Sequence, residues 1–179
     1  MTSGLAGIVL AGGAARRLGG VDKPLLEIAG TTLLERAVTA LRAADPVVVV
    51  GPRREGISGV RWTREDPPRS GPVAALAAGL RLVEQPLVAV LAADLRGVGA
   101  GTVDRLRAAL GDADGAVLTD EAGRRQWLIG IWRTTRLRAA LPADPVGASL
   151  HRTLSGLSIV DVPALPGEAS DIDTPEDLR

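Results

Sequence analysis

Short, wholly apolar runs recur along this chain, and most are followed by a segment with helical spacing rather than by a tight turn into another run. That alternation leaves few folds open, because strands buried on both faces need helices packed above and below them. Leu5–Leu10 is the first such run and ends in Ala11-Gly12-Gly13. Thr31-Thr32 then cap a stripe of Leu33, Leu34, Ala37, Val38 and Leu41 at helical spacing. Val47–Val50, all valine behind Pro46, reads as a central parallel strand, and Val60-Arg61-Trp62 as a shorter, weaker one. Ser70-Gly71-Pro72 opens a helix reaching about Val83, with Ser70 or Gly71 as its cap. Leu87–Leu91 is a further buried strand leading into Ala92-Ala93-Asp94, Thr102–Leu110 an amphipathic helix, and Gly115–Leu118 a strand.

The last third is less regular. Trp127–Trp132 and Ser158–Val162 read as strands, Arg133–Leu141 and Val146–Leu154 as short helices, and Thr174 as the cap of a final helix with Pro175 at its first position. The pattern predicts one α/β domain over residues 1–179, three layers deep, with a mostly parallel, twisted, Rossmann-like sheet between two layers of helices.

Composition removes several function classes. Lys+Arg and Asp+Glu both total 21, so the chain lacks the basic excess of a nucleic-acid binder. It has no cysteine and one histidine, His151, which excludes thiolate chemistry, disulfides and a multi-histidine metal cluster. No apolar run approaches the roughly 18 residues that cross a bilayer, and no basic leader precedes Leu5, so a soluble, cytoplasmic protein without membrane partners is expected. Trp62, Trp127 and Trp132 read as core residues, His151 as a structural or surface residue, and Arg124-Arg125 as a solvated hairpin pair. Thr119, Ser149 and Ser155 lack the surroundings of an activated nucleophile.

One arginine-for-lysine bias is informative. Lys23 is the only lysine among 21 basic residues. A compact ammonium on a flexible stem does what a planar guanidinium cannot, and this one sits in Leu10-Ala11-Gly12-Gly13-Ala14-Ala15-Arg16-Arg17-Leu18-Gly19-Gly20-Val21-Asp22-Lys23. The segment begins where the first strand ends, the edge at which open α/β sheets bind ligands. Its glycines let backbone N–H groups approach phosphates, while Arg17 and Lys23 supply cations for a triphosphate and for charge that builds during phosphoryl transfer. Pro24 after Lys23 excludes a Walker A loop, and glycines at 12, 13, 19 and 20 do not match the dinucleotide fingerprint.

This segment resembles the Leu-x-Gly-Gly-x-x-x-Arg-x-Gly-x-x-Lys signature of the GT-A-like nucleotidyltransferases. Within them it is most similar to the molybdenum cofactor guanylyltransferase family. The similarity continues through Pro24-Leu25-Leu26-Glu27-Ile28-Ala29-Gly30, the Glu65-Asp66 pair, Gly71-Pro72-Val73-Ala74-Ala75-Leu76, Asp94, and Asp171-Ile172-Asp173-Thr174-Pro175-Glu176-Asp177-Leu178. Carried onto this chain, the resemblance implies a Rossmann-like nucleotidyltransferase fold and Mg²⁺-dependent transfer of GMP from GTP to the terminal phosphate of molybdopterin, with loss of pyrophosphate. It implies that Leu10, Ala11, Gly12 and Gly13 form the base and ribose pocket, that Asp66 contacts the nucleotide, and that Asp94 ligates Mg²⁺. Arg17 and Lys23 would bind the phosphates and complete the catalytic set with Asp94. Asp171 and Asp173 would touch metal or pterin, or cap the last helix, and transient contacts with other cofactor-assembly proteins are implied too.

The sequence departs from the family pattern at three places. Leu95-Arg96 follows Asp94 where a hydrophobic residue and proline are usual, Gly51 replaces an asparagine after the second main strand, and Gly123-Arg124-Arg125-Gln126-Trp127 stands for a Gly-Arg-x-His-Pro-like segment. Nucleotide contacts and acceptor choice are expected at those positions. Two other readings stay open at this level: a transferase of the same fold using CTP or another phosphorylated acceptor, and a nucleotide-binding protein without turnover. Gly12-Gly13 leans toward GTP, since similar cytidylyltransferases more often carry Ala-Gly there.

Overall fold

The computed structural model describes residues 4–13 and 20–170. The first apolar run is strand β1 (Leu5–Leu10), buried along its whole length. After it, Lys23–Leu25 form a 3-10 turn and a small antiparallel hairpin follows, β2 (Glu27–Ile28) and β3 (Thr31–Thr32). The sequence pattern does not announce this hairpin, because its turn uses Ala29 at φ 52° beside Gly30 at φ 77°. Two successive positive φ angles match the twist of a two-residue hairpin, but alanine is not their usual occupant. Thr32 then caps helix α1 (Leu33–Ala40): its hydroxyl accepts from the Glu35 N–H at 3.1 Å, and Glu35 Oε2 accepts from the Thr32 N–H at 2.8 Å.

The remaining elements are β4 (Val47–Val50), β5 (Arg61–Thr63), α2 (Pro72–Leu80), β6 (Leu87–Ala92), α3 (Ala100–Ala109), β7 (Gly115–Thr119), β8 (Arg125–Arg133), α4 (Thr134–Ala140), α5 (Leu150–Leu154) and β9 (Ile159–Pro163). Seven strands form one sheet in the order β5-β4-β1-β6-β8-β7-β9. β8 runs antiparallel to both its neighbours, and every other pairing in this sheet is parallel. Side chains alternate between the faces of β1. Leu5 and Val9 pack with α1 and α3 in one cluster, whereas Ala6, Ile8 and Leu10 pack with α2, Leu137 and Leu154 in the other. The expected three-layer α/β architecture with a mostly parallel sheet is the one observed. No helix among the described residues is long and apolar enough to cross a membrane.

Element ends differ from the sequence expectation for local reasons. The segment expected to be helical from Val146 starts only at Leu150: Gly147 takes φ 67°, its N–H donates to the Ser70 carbonyl at 2.8 Å, and Ser149 caps α5. α2 stops at Leu80 rather than near Val83, where the Arg138 guanidinium takes the carbonyls of Leu80 and Val83. α3 begins at Ala100, so Thr102 lies inside the first turn and accepts from the Gly99 N–H at 3.1 Å. β8 extends two residues before Trp127, with Arg124 paired to Asp120 at 2.9 Å and Arg125 to Asp161 at 2.6 Å. Trp132 is fully buried, while Trp62 and Trp127 are half-buried and pack against the two clusters. His151 is exposed and meets the Trp127 ring edge-on at 5.7 Å.

Candidate active site

The topology determines where a ligand can enter. From β1 the chain moves outward through β4 and β5, then returns to pair β6 on the other flank of β1. The strand order reverses there, and the crevice beyond the carboxyl ends of β1 and β6 is the expected binding place in such a sheet. Leu10 stands in register with Ala92, and the Ala93 N–H donates to the Leu10 carbonyl at 3.0 Å. The chain leaving β6 is therefore held beside the chain leaving β1, which brings Asp94 next to Gly12 and Gly13.

A cleft of about 470 Å³ occupies this position. Leu10, Gly12, Gly13, Lys23, Glu65 and Asp94 contribute to its wall, with Arg69 and Leu128 at other points of it. Lys23 is presented by the 3-10 turn, whose hydrogen bonds run from the Leu25 N–H to the Asp22 carbonyl and from the Leu26 N–H to the Lys23 carbonyl. Its Nζ lies 3.9 Å from Asp94 Oδ2, with 18% and 31% of the two side chains exposed. At that separation and wetness the pair adds little stability. It sets opposite charges facing one opening, where a phosphate can engage the cation and a hard cation the carboxylate.

Asp94 offers a part-exposed carboxylate to the cleft, and among the described residues no group of three or more His, Asp or Glu side chains could hold a metal ion. That donor set suits Mg²⁺, which keeps waters and takes one or two carboxylates together with substrate phosphates.

Ala11 is buried, and its carbonyl accepts from Arg54 rather than facing the cleft. Asp66 is exposed and outside the cleft wall, whereas its neighbour Glu65 is 8% exposed and part of it. Consecutive residues of an extended segment point to opposite sides, and the segment leaving β5 turns Glu65 inward. Glu65 Oε1 accepts from the Arg69 N–H at 2.9 Å, while Oε2 is buried and has no hydrogen-bond partner among the described residues. Arg69 itself holds φ 68°, a left-handed backbone that aims its N–H back at Glu65. Arg17, Asp171 and Asp173 lie outside the described residues.

Sequence reasoning missed Arg69, Leu128 and Arg54. Leu128 reaches the cleft through a register break: Val117 pairs with Gly130 but Leu118 with Gln126, so the residues between bulge from β8. No composition cue marks such a bulge. Arg69 directly precedes the recognised Ser70-Gly71-Pro72 helix start, and that position was its available signal.

The comparisons agree with this architecture. The MobA-like NTP transferase domain model matches residues 7–160. A probable molybdenum cofactor guanylyltransferase of Natronomonas pharaonis is 31% identical over 196 residues, covering 97% of this chain and 94% of the relative. Among solved structures, molybdopterin-guanine dinucleotide biosynthesis protein A of Archaeoglobus fulgidus superposes with a TM-score of 0.72 at 19% identity, over 97% of this chain and 94% of its own. The 2-C-methyl-D-erythritol 4-phosphate cytidylyltransferase of Thermus thermophilus does so with 0.72 at 23% identity, over 99% and 96%. Those two likenesses speak for the fold. With the family model spanning most of the sheet and the relative aligned nearly end to end, the chain belongs to the MobA-like NTP transferase family and is a nucleotidyltransferase.

Proposed function

We propose that this enzyme transfers GMP from GTP to the terminal phosphate of molybdopterin. A phosphate oxygen of the acceptor attacks the α-phosphorus of GTP, the bond to the bridging oxygen of the β-phosphate breaks, and pyrophosphate leaves. The observation that carries the reading is the meeting of Gly12-Gly13, Lys23 and Asp94 in one cleft at the strand-order reversal, with Lys23 Nζ 3.9 Å from Asp94 Oδ2. Gly12 and Gly13, with Leu10, form the floor against which the nucleoside lies, and Ala11 supports it from beneath through its backbone. Lys23 holds phosphate oxygens and offsets charge that builds on the leaving pyrophosphate. Arg17 belongs to the same phosphate-binding segment. Asp94 is the protein ligand for Mg²⁺, which when bound neutralises phosphate charge and polarises the phosphoryl group. The protein contributes position and electrostatics, with no covalent nucleophile.

Asp66 remains the nucleotide contact that the motif implies, and its neighbour Glu65, which lines the cleft, supports the choice of guanine. A carboxylate accepts hydrogen bonds, and Glu65 accepts one among the described residues, from the Arg69 N–H. Guanine presents N1–H and an exocyclic amine side by side, two donors for such a group. Adenine and cytosine present one amine next to a ring acceptor, which a carboxylate repels. The name of the Natronomonas relative favours the same nucleotide and cofactor.

Pyrophosphate release measured for each of the four NTPs, with Mg²⁺ and molybdopterin, tests the reading. GTP should be used at least about tenfold more efficiently than ATP or CTP, the worth of one well-placed hydrogen bond to a charged group. Preference for CTP, or release with other acceptors and none with molybdopterin, would overturn it.

A further inference from the structure

We propose that Arg54 is a positioning residue that ties off the neck of the glycine-rich loop and so holds Lys23 at the cleft. The proposal rests on the nucleotidyl-transfer reading above. The Arg54 guanidinium makes a fork to one carboxylate: Nε donates to Asp22 Oδ2 and Nη2 to Asp22 Oδ1, both at 2.6 Å. The same Nη2 donates to the Ala11 carbonyl at 3.0 Å, and Nη1 to the Pro52 carbonyl at 3.2 Å. Ala11 is where the chain leaves the sheet, hydrogen-bonded to Val50, and Asp22 immediately precedes Lys23. One side chain therefore joins both ends of the loop to each other and to the end of β4.

The backbone is shaped to permit this. Gly51 holds φ 150°, and a Cβ there would sit 2.9 Å from the carbonyl carbon and oxygen of Ala11. Only glycine lets the end of β4 press against Ala11 so closely, which brings Arg54 within reach of that carbonyl. The Arg54 side chain is 7% exposed while Asp22 remains 45% exposed, so the fork to Asp22 lies at the surface and the bond to the Ala11 carbonyl is its part-buried anchor. A paired, bidentate guanidinium resists sliding, which a single ammonium does not. Arg54 acts on phosphate only through the loop it closes. A displaced Lys23 meets the developing charge at the wrong distance, and misplacement by about 1 Å costs about a hundredfold in rate.

Arg54→Ala and Asp22→Asn test the tie from its two ends, the second by altering an exposed group that leaves the core untouched. In both variants, hydrogen exchange of the backbone amides of Ala11, Leu25 and Leu26, which the structure shows hydrogen-bonded, should quicken about tenfold or more, with the rest of β4 and β6 unchanged. This readout needs no activity, so it judges the tie even if wild-type protein releases no pyrophosphate from GTP, an outcome that would instead sink the transfer reading. In turnover, kcat should fall by about a hundredfold, with a smaller change in KM. Arg54→Lys should not rescue it, since an ammonium cannot make the fork. In a Lys23→Ala background, Arg54→Ala should cost little more, because the two act as one unit. Unchanged loop exchange, full additivity with Lys23→Ala, or rescue by Arg54→Lys would each overturn the proposal. If Arg54→Ala does not fold, Asp22→Asn carries the same readouts.

Discussion

Two glutamates are buried among the described residues, and they live under opposite terms. Glu168, 5% exposed, sits against α3 with its hydrogen-bonding capacity used: Oε1 accepts from the Thr102 hydroxyl at 2.5 Å and from Arg105 at 2.7 Å, and Oε2 from the Leu165 N–H at 2.7 Å. Glu65, 8% exposed, lies in the cleft wall with Oε1 held by one N–H and Oε2 without a partner among the described residues. Burying a carboxylate is costly, and leaving one oxygen unpaired forfeits the compensation that makes burial tolerable. The Glu168 corner spends its charge on holding α3 to the chain after β9. The cleft wall holds Glu65 by one hydrogen bond among the described residues, and a loosely spaced ion pair joins Lys23 and Asp94. On the proposed function, the difference separates groups that hold the fold from groups that would meet a ligand, and it can be attacked experimentally.

The largest effect is expected at Asp94. Asp94→Asn keeps the size and removes the charge, so turnover should fall roughly a thousandfold while the melting temperature stays put. A lowered melting temperature with wild-type turnover and unchanged Mg²⁺ dependence would place Asp94 with Glu168 and collapse the contrast. Next comes Lys23→Arg, for which kcat should drop by about a hundredfold because a planar fork cannot take the place of a compact ammonium. Near-normal turnover in that variant would leave the sole lysine unexplained.

The two glutamates give the sharpest pair. Glu65→Gln puts an amide where guanine donors are expected, so the preference for GTP over ATP should shrink by about tenfold. Stability should hold or rise, since the change removes a buried and half-paired charge. Glu168→Gln should behave in the reverse way, losing about 1–3 kcal/mol of stability with turnover of the folded enzyme intact. Chemical denaturation beside steady-state kinetics on each variant reads both signs, and equal signs would remove the distinction.

The smallest effect is the pH dependence of that corner. Burial pushes the Glu168 carboxyl upward, but the hydrogen bonds from Arg105, Thr102 and the Leu165 N–H outweigh it and hold the group below the ordinary carboxylate range. A lowered folded pKa gives stability that is fully present above the unfolded value of about 4.3 and is lost as pH falls through the folded one. The melting-temperature gap between wild type and Glu168→Gln should therefore be constant near neutrality and close below about pH 4. A gap that persists in acid would mean that shape rather than charge holds the corner.

What the sequence determined by itself is what depends on near neighbours. β1, β4 and β6 could be read because each strand is a continuous apolar run, and α1 because Thr31-Thr32 stand ahead of an apolar stripe at helical spacing. The glycine-rich segment and Asp94 could be read because each stands directly after a buried strand, where parallel sheets open. The tertiary structure decided the rest. Glu65 faces the cleft instead of Asp66 because the left-handed Arg69 backbone returns its N–H to that carboxylate. Leu128 enters through a strand bulge set by pairing with β7, and Arg54 reaches Asp22 across 32 residues of chain. These contacts join groups whose separation in sequence carries no pattern. They exist only once the sheet has brought distant backbone within hydrogen-bonding range, where a buried polar group must find a partner or stand open to a ligand.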